Sequence, residues 1–151
     1  MKIREASIED IKQLKEIRHA VKENVLSNPA LVTDADYHMF LVKKGKGWVA
    51  EVESHIVGFA IIDLEDKNIW ALFLHPLHEK AGVGRKLHQT MMEWYFGQTT
   101  ETVWLSTEAN TRASKFYEKA GWIATGPYGH CEIKFEMTYQ NWKQKNTTNS
   151  I

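Results

Sequence analysis

The chain has 151 residues, 43% of them hydrophobic and 25% charged, which is the length of one ordinary domain and the composition of a folded protein, not of a disordered or collagen-like one. Its 19 Lys and Arg residues balance 19 Asp and Glu, so no whole-molecule field draws it to nucleic acid or to a membrane, and neither is expected as a partner. The single cysteine, Cys131, excludes an internal disulfide, the apolar stretches are too short to span a bilayer, and no leader-like segment opens the sequence, so a cytoplasmic protein is expected.

Residues 2–6 read as a short strand. Ser7, followed by Glu9 and Asp10, then signals a helix start, with Ile8, Ile11, Leu14, Ile17 and Val21 as its apolar stripe. Asn28-Pro29 breaks that pattern. Thr33 with Asp36 repeats the capping signal for a shorter helix reaching about Lys43. Lys44-Gly45-Lys46-Gly47 reads as a turn, and residues 48–52 and 56–64 as an antiparallel hairpin joined by Glu53-Ser54-His55. After a polar turn at 65–68, residues 69–74 are apolar on both faces, as in a central strand.

From Gly82 onward Val83, Leu87, Thr90, Met91, Trp94 and Tyr95 mark a long amphipathic helix ending at Gly97. A strand at 102–106, a helix at 111–120 closed by Gly121, and strands at 122–125 and 132–137 follow. Residues 139–151 form a polar tail without apolar periodicity, frayed at its end. No repeat or long linker divides the chain, so one domain over 1–138 is expected.

The strongest local signal is Glu79-Lys80-Ala81-Gly82-Val83-Gly84-Arg85, between an apolar strand and an amphipathic helix. The first turn of a helix has amides without intrahelical partners, and its dipole favours negative charge there. Gly82 and Gly84 let backbone approach an anion closely, and Lys80, Arg85 and Lys86 add positive charge. Two such glycines also fit a plain strand-to-helix turn. Leu87 stands where a dinucleotide fingerprint needs its third glycine, and no G-K-[ST] follows, so neither a dinucleotide fold nor a P-loop is indicated.

A second signal follows the strand at 102–106, namely Asn110-Thr111-Arg112-Ala113-Ser114-Lys115-Phe116-Tyr117-Glu118-Lys119-Ala120-Gly121-Trp122. With Leu72-Phe73-Leu74-His75-Pro76 and the glycine loop, it closely resembles the GNAT superfamily of N-acetyltransferases, over the element order from about Met1 to Met137. The resemblance implies an α/β fold, a mixed and mostly antiparallel sheet of about six or seven strands flanked by about four helices. It also implies acetyl transfer from acetyl-CoA to a primary amine, with acetyl-CoA as cosubstrate and no metal.

Carried over residue by residue, the backbone of Leu72, Phe73 and Leu74 would pair with the pantetheine arm, and the amides of Glu79, Lys80, Ala81, Gly82, Val83, Gly84 and Arg85 would hold the pyrophosphate. Asn110 would bond the pantetheine or orient the next helix, Phe116 would pack beside the coenzyme, and Tyr117 would face the thioester sulfur as general acid. Glu79 departs from the family's Gln or Arg, so its side chain is expected to point away from the phosphates.

A thiol has a reference pKa of ~8.5 and a tyrosine ~10, so a tyrosine proton helps departure of the thiolate modestly and positioning does most of the work. Glu108, Glu23 and His130 are candidates to take the amine's proton, as is a water chain. His75 and His78 have metal-like spacing but lack further identifiable ligands. Most of the six tryptophans read as core, with one left to line an acceptor pocket.

Glu23 and Asn24, where the first apolar stripe ends, are the candidate acceptor contacts, with the region from Tyr128 to Glu132 as the alternative. The acceptor is a small-molecule or peptide amine. A protein lysine or N-terminus, a polyamine, an antibiotic and an amino acid all fit, and a homodimer is compatible with the sequence. A non-catalytic acyl-CoA-binding or regulatory domain of the same fold is the alternative from a different class.

Overall fold

The structure is a computed structural model that describes residues 1–21, 32–79 and 82–149. It divides into two compact units, residues 1–95 and 96–151.

The first unit holds strands β1 (Lys2–Glu5), β2 (Gly45–Val52), β3 (His55–Asp63) and β4 (Asn68–Leu74), in the order β1-β2-β3-β4 with every pair antiparallel. Helix α1 (Ile11–Ala20) follows a 3₁₀ turn at Ile8–Asp10. Helix α2 (Asp34–His38), capped reciprocally by Thr33 and Asp36, runs on into a π-helical turn at Met39–Lys44. The β2–β3 hairpin turns on Glu53 and Ser54, both at positive φ, a two-residue geometry that matches the twist of paired strands.

Strand β3 is buried along nearly its whole length because both of its faces are covered. On one face Phe59, Ile61 and Val49 pack with Ile11, Leu14 and Ile17 of α1 and with Tyr37 of α2. On the other, Trp48 meets Trp94 of α3 (Val83–Gln98), and Gly58 leaves room for Leu74 and Leu87. This layering makes β4 the exit from a rigid frame, so the chain after Leu74 starts from a fixed point.

The second unit holds β5 (Val103–Glu108), α4 (Arg112–Lys119), β6 (Ile123–Tyr128), β7 (Glu132–Met137) and α5 (Tyr139–Asn149). Its strands lie in the order β5-β7-β6, again antiparallel. Val103, Leu105, Phe135 and Met137 form its buried face, and Tyr117 of α4 packs on Phe135. The fold class is thus the expected one, α/β with seven mostly antiparallel strands and, among the described residues, five helices.

Several local expectations are corrected. Ile8 is exposed, because the 3₁₀ turn puts it out of phase with the stripe of α1. Residues 44–47 are not a turn, since Gly45, Lys46 and Gly47 already belong to β2. A Cβ at Gly45 would overlap the Ile62 carbonyl and one at Gly47 would lie 2.5 Å from Leu41 Cδ2, so these glycines serve close approach inside a strand. Helix α3 continues through Gly97 to Gln98. The polar tail contains α5, anchored by Trp142 against Phe96 and Tyr139 against the same ring. Of the six tryptophans, Trp48, Trp122 and Trp142 are buried, while Trp70, Trp94 and Trp104 are only partly so.

Candidate functional site

In the first unit Leu72, Phe73 and Leu74 end β4, in register with Ala60, Phe59 and Gly58 of β3, and all three are half-buried. The Arg18 guanidinium, from the last turn of α1, lies 4.1 Å from the centre of the Phe73 ring. Burial disfavours its charge and shifts its pKa down. The sequence pattern of α1 marked Arg18 neither as core nor as solvent-facing, so only the packing reveals this contact.

The chain then turns sharply. The His75 amide donates to the Val57 carbonyl at 2.8 Å, the His75 ring nitrogen Nδ1 accepts from the Leu77 amide at 3.2 Å, and the His75 carbonyl accepts from the His78 amide at 2.8 Å. With Pro76 at the first position, these bonds build a 3₁₀ turn over Pro76–His78. The His75 ring is thus part of the turn itself, and among the described residues no three His, Cys, Asp or Glu side chains converge as a metal site requires.

Glu79 follows, half-buried. Lys80 and Ala81 lie outside the described residues. Gly82 has φ +74, a left-handed conformation that favours glycine, and a Cβ built there would meet nothing within 4 Å. Val83 and Gly84 are buried, Arg85 and Lys86 are exposed, and the first intrahelical bond runs from the Lys86 amide to the Gly82 carbonyl at 3.2 Å. At the residue preceding α3 there is no side-chain oxygen to cap the helix, and there is open space in its place.

In the second unit β5 leads into α4 through Ala109 and Asn110. Asn110 is exposed at φ +60, which Asn tolerates better than most residues. Thr111 Oγ1 accepts from the Ser114 amide at 3.2 Å and donates to the Glu108 carbonyl at 2.8 Å, while Ser114 Oγ accepts from the Thr111 amide at 3.0 Å. This reciprocal cap sets the direction of α4. The far end closes with the Trp122 amide on the Tyr117 carbonyl and the Gly121 amide on the Glu118 carbonyl, Gly121 at φ +96, and Lys145 Nζ on the Lys119 carbonyl at 2.9 Å.

Between these ends Phe116 is half-buried and Tyr117 only 5% exposed, its ring within 5.3 to 6.3 Å of Phe116, Trp122 and Phe135. Burial pushes the phenol well above its usual ionisation range. Tyr117 is therefore a neutral hydroxyl at any working pH.

Of the candidate bases, Glu108 is half-buried at the end of β5 and His130 is exposed in the β6–β7 turn. Glu23 and Asn24 lie outside the described residues. Glu132, the last residue of the alternative acceptor region, stands directly across from Glu108 and accepts a hydrogen bond from Ser106 Oγ at 3.1 Å. Its place opposite Glu108 comes from the pairing of Val103–Glu108 with Glu132–Met137. Among the described residues no helix is long and apolar enough to cross a membrane.

These two strand-to-helix passages carry the segments that resembled an acetyltransferase, and comparison with known proteins agrees. The sequence profile of the acetyltransferase (GNAT) family matches residues 11–122. The chain belongs to that family. Its fold is similar to that of the PaiA N-acetyltransferase from Thermoplasma acidophilum, solved in complex with coenzyme A, with a TM-score of 0.80 and 18% identity over 91% of this chain and 98% of that one. The ribosomal-protein-S18-alanine N-acetyltransferase from Escherichia coli is similar at a TM-score of 0.74, with 14% identity over 91% and 93% of the two chains. A Bacillus anthracis protein solved with acetyl coenzyme A is similar at 0.69, with 20% identity over 91% and 98%. No curated protein sequence matches the chain.

Proposed function

We propose that the protein transfers the acetyl group of acetyl-CoA to a primary amine. The observation that carries this proposal is Gly82, which lies in the left-handed region with open space where a side chain would stand, immediately before Val83 and Gly84, the buried first residues of α3. A phosphate suits such a place, since helix N-terminal amides and their dipole attract anions and glycine removes the obstruction. Family membership supports the coenzyme as the source of that phosphate.

In this account the backbone of Leu72, Phe73 and Leu74 aligns the pantetheine, and the segment from Glu79 through Lys80 and Ala81 to Arg85 takes the pyrophosphate. Asn110 holds the opening of α4, and Phe116 packs beside the coenzyme. Acetyl-CoA supplies an activated acyl group as its thioester. Tyr117 donates a hydrogen bond to the leaving sulfur. Because burial makes its phenol a weaker acid than an ordinary tyrosine, complete proton transfer to a thiolate of pKa ~8.5 is uphill, and most of the acceleration comes from positioning. Glu108 and His130 remain the base candidates among the described residues. Glu23 and Asn24 are proposed as acceptor contacts, and the protein is proposed to work in the cytoplasm.

The burial of Tyr117 favours one second reading, an acyl-CoA-binding domain without turnover. A panel of amines assayed for free thiol release from acetyl-CoA, with no-acceptor controls, separates the two. Amine-dependent thiol release is expected. Coenzyme binding without release from any amine would leave the binding domain.

A further inference from the structure

Strand β4 reaches the glycine segment before α3 through the turn over His75–His78, and a histidine side chain closes that turn. His75 has φ −58 and ψ 134, with ψ in the range that a following proline imposes. Pro76 brings no N–H, so the first amide of the turn in want of an acceptor is that of Leu77. The His75 ring nitrogen Nδ1 accepts from it at 3.2 Å, and the His75 carbonyl takes the next amide, that of His78, at 2.8 Å. Pro76 and Leu77 are exposed, Leu77 at 85%, so apolar burial adds little. The turn is held from one residue.

Caps of this kind are ordinarily oxygens of Ser, Thr, Asp or Asn. An imidazole can stand in for them only while it is neutral with its hydrogen on Nε2, because the imidazolium carries a hydrogen on both nitrogens and has no acceptor left. Taking up a proton therefore sets a ring N–H against the Leu77 N–H. Histidine is the side chain whose charge changes between about pH 5 and 8. Beside His75 stands the His78 ring, 6.2 Å away between centroids and at 71°. Strand β3 faces it with the Val57 carbonyl, which accepts the His75 amide at 2.8 Å, and carries His55 two positions before Val57 on the same face. Glu79 ends the turn, half-buried, and is the first residue of the segment assigned above to the pyrophosphate.

We propose that His75 is a positioning residue for the coenzyme, folding the turn that delivers Glu79 and the glycine segment while its ring is neutral and letting the turn open when the ring takes up a proton. The proposal rests on the acyl-CoA reading above and gives it a pH dependence. His75 acts through the backbone of the segment, not on the reacting atoms. With the turn closed, the segment starts from the end of β4; with it open, the coenzyme itself must order those residues, and affinity falls. The sign is opposite to that of a direct charge contact, in which an imidazolium would hold phosphates more tightly at acid pH.

The test is calorimetric titration of the full chain with CoA at pH 7.5 and pH 5.5, on the wild type, His75→Asn and His75→Ala. The first variant keeps an acceptor for the Leu77 amide at both pH values, and the second at neither. The wild type should bind like His75→Asn at pH 7.5. At pH 5.5 it should bind roughly three- to tenfold more weakly than His75→Asn, the scale of one neutral hydrogen bond, and should match His75→Ala. Taking the ratio to His75→Asn cancels the titration of the coenzyme's own phosphate monoester, which falls in the same window. His78→Gln and His55→Gln should keep the wild-type profile. A ratio that does not change with pH, a wild type that gains on His75→Asn at pH 5.5, or a profile lost in His78→Gln or His55→Gln would overturn the proposal. If His75→Asn does not fold, the wild type against His75→Ala decides. A gap at pH 7.5 that closes at pH 5.5 is then expected, and a constant gap or none overturns it. CoA binding by the wild type at pH 7.5 reports on the coenzyme reading by itself, so its presence with a pH-independent ratio rejects only the role of His75, and its absence rejects both.

Discussion

The two helices that follow β4 and β5 begin in opposite ways. Helix α4 satisfies its own start, since Thr111 and Ser114 exchange hydrogen bonds with each other's amides and Thr111 ties back to Glu108. Helix α3 begins after Gly82, which has no side-chain oxygen to offer and stands in open space at φ +74. One start is closed by its own side chains, and at the other the residue before the helix brings no side chain at all. A side-chain cap fixes the residues that follow it, here Phe116 and Tyr117, whereas a glycine start leaves room for an anion to approach backbone amides.

The most severe way to break this contrast is Gly82→Val. A β-branched residue at positive φ costs about 1–2 kcal/mol of stability, although its Cβ would meet nothing within 4 Å beyond its chain neighbours. Coenzyme affinity should fall about a hundredfold, roughly 2.7 kcal/mol, read by calorimetric titration with CoA. Retained affinity in the folded variant would make this passage a plain turn.

Tyr117→Phe keeps the ring packing against Trp122 and Phe135 and removes only the hydroxyl. With the best amine found, kcat should fall about 10-fold to 100-fold with little change in CoA affinity. Because the folded-state phenol ionises above its ordinary value of 10.0, it stays protonated at working pH. The wild type and the variant should therefore share the shape of their pH–rate profiles between about pH 6 and 10. An alkaline limb present only in the wild type would show Tyr117 titrating as an ordinary phenol.

Thr111→Val tests the other helix start. Losing the cap should cost about 1–2 kcal/mol, a fall of several degrees in melting temperature, roughly 2–4 °C per kcal/mol at this size. The rise in melting temperature on adding CoA should persist. A variant of unchanged stability that no longer responds to CoA would invert the roles assigned to the two helices.

These passages were legible in the sequence because each is marked by residues that do one physical job. The run at 69–74, apolar on both faces, became β4, the helix expected at 111–120 became α4, and Gly121 became its stop, at positive φ. Where one residue type serves two purposes the sequence was ambiguous. Gly45 and Gly47 have turn chemistry but fill a strand that must approach Ile62 and Leu41 closely. Helix α5 shows no apolar stripe, because Trp142, with help from Tyr139, supplies its anchorage on Phe96. The contact of Arg18 with Phe73 and the place of Glu132 opposite Glu108 depend on partners 55 and 24 positions apart or on strand register, which no local pattern carries.

The smallest expected effect lies at the start of α1. Asp10 is hydrogen-bonded by Arg4 and by the Ser7 amide, and the Arg4 guanidinium above all holds its carboxyl below the ordinary 3.8. A carboxylate whose folded-state pKa is lowered contributes stability above its unfolded value, and that contribution is lost as pH falls through the folded value. Asp10→Asn should thus cost about 1 kcal/mol at pH 7 in urea unfolding and progressively less below about pH 4. CoA affinity should not respond, since Asp10 sits at the start of α1.

The most direct test of the central claim, that the start of α3 holds an acyl-CoA, is the melting temperature of the wild-type protein with acetyl-CoA. At 100 times the dissociation constant a native-state ligand contributes ~2.7 kcal/mol, so acetyl-CoA should raise the melting temperature by several degrees, with NAD and ATP doing much less at the same concentration. A melting curve that does not move with acetyl-CoA, or that moves equally with all three, would contradict it.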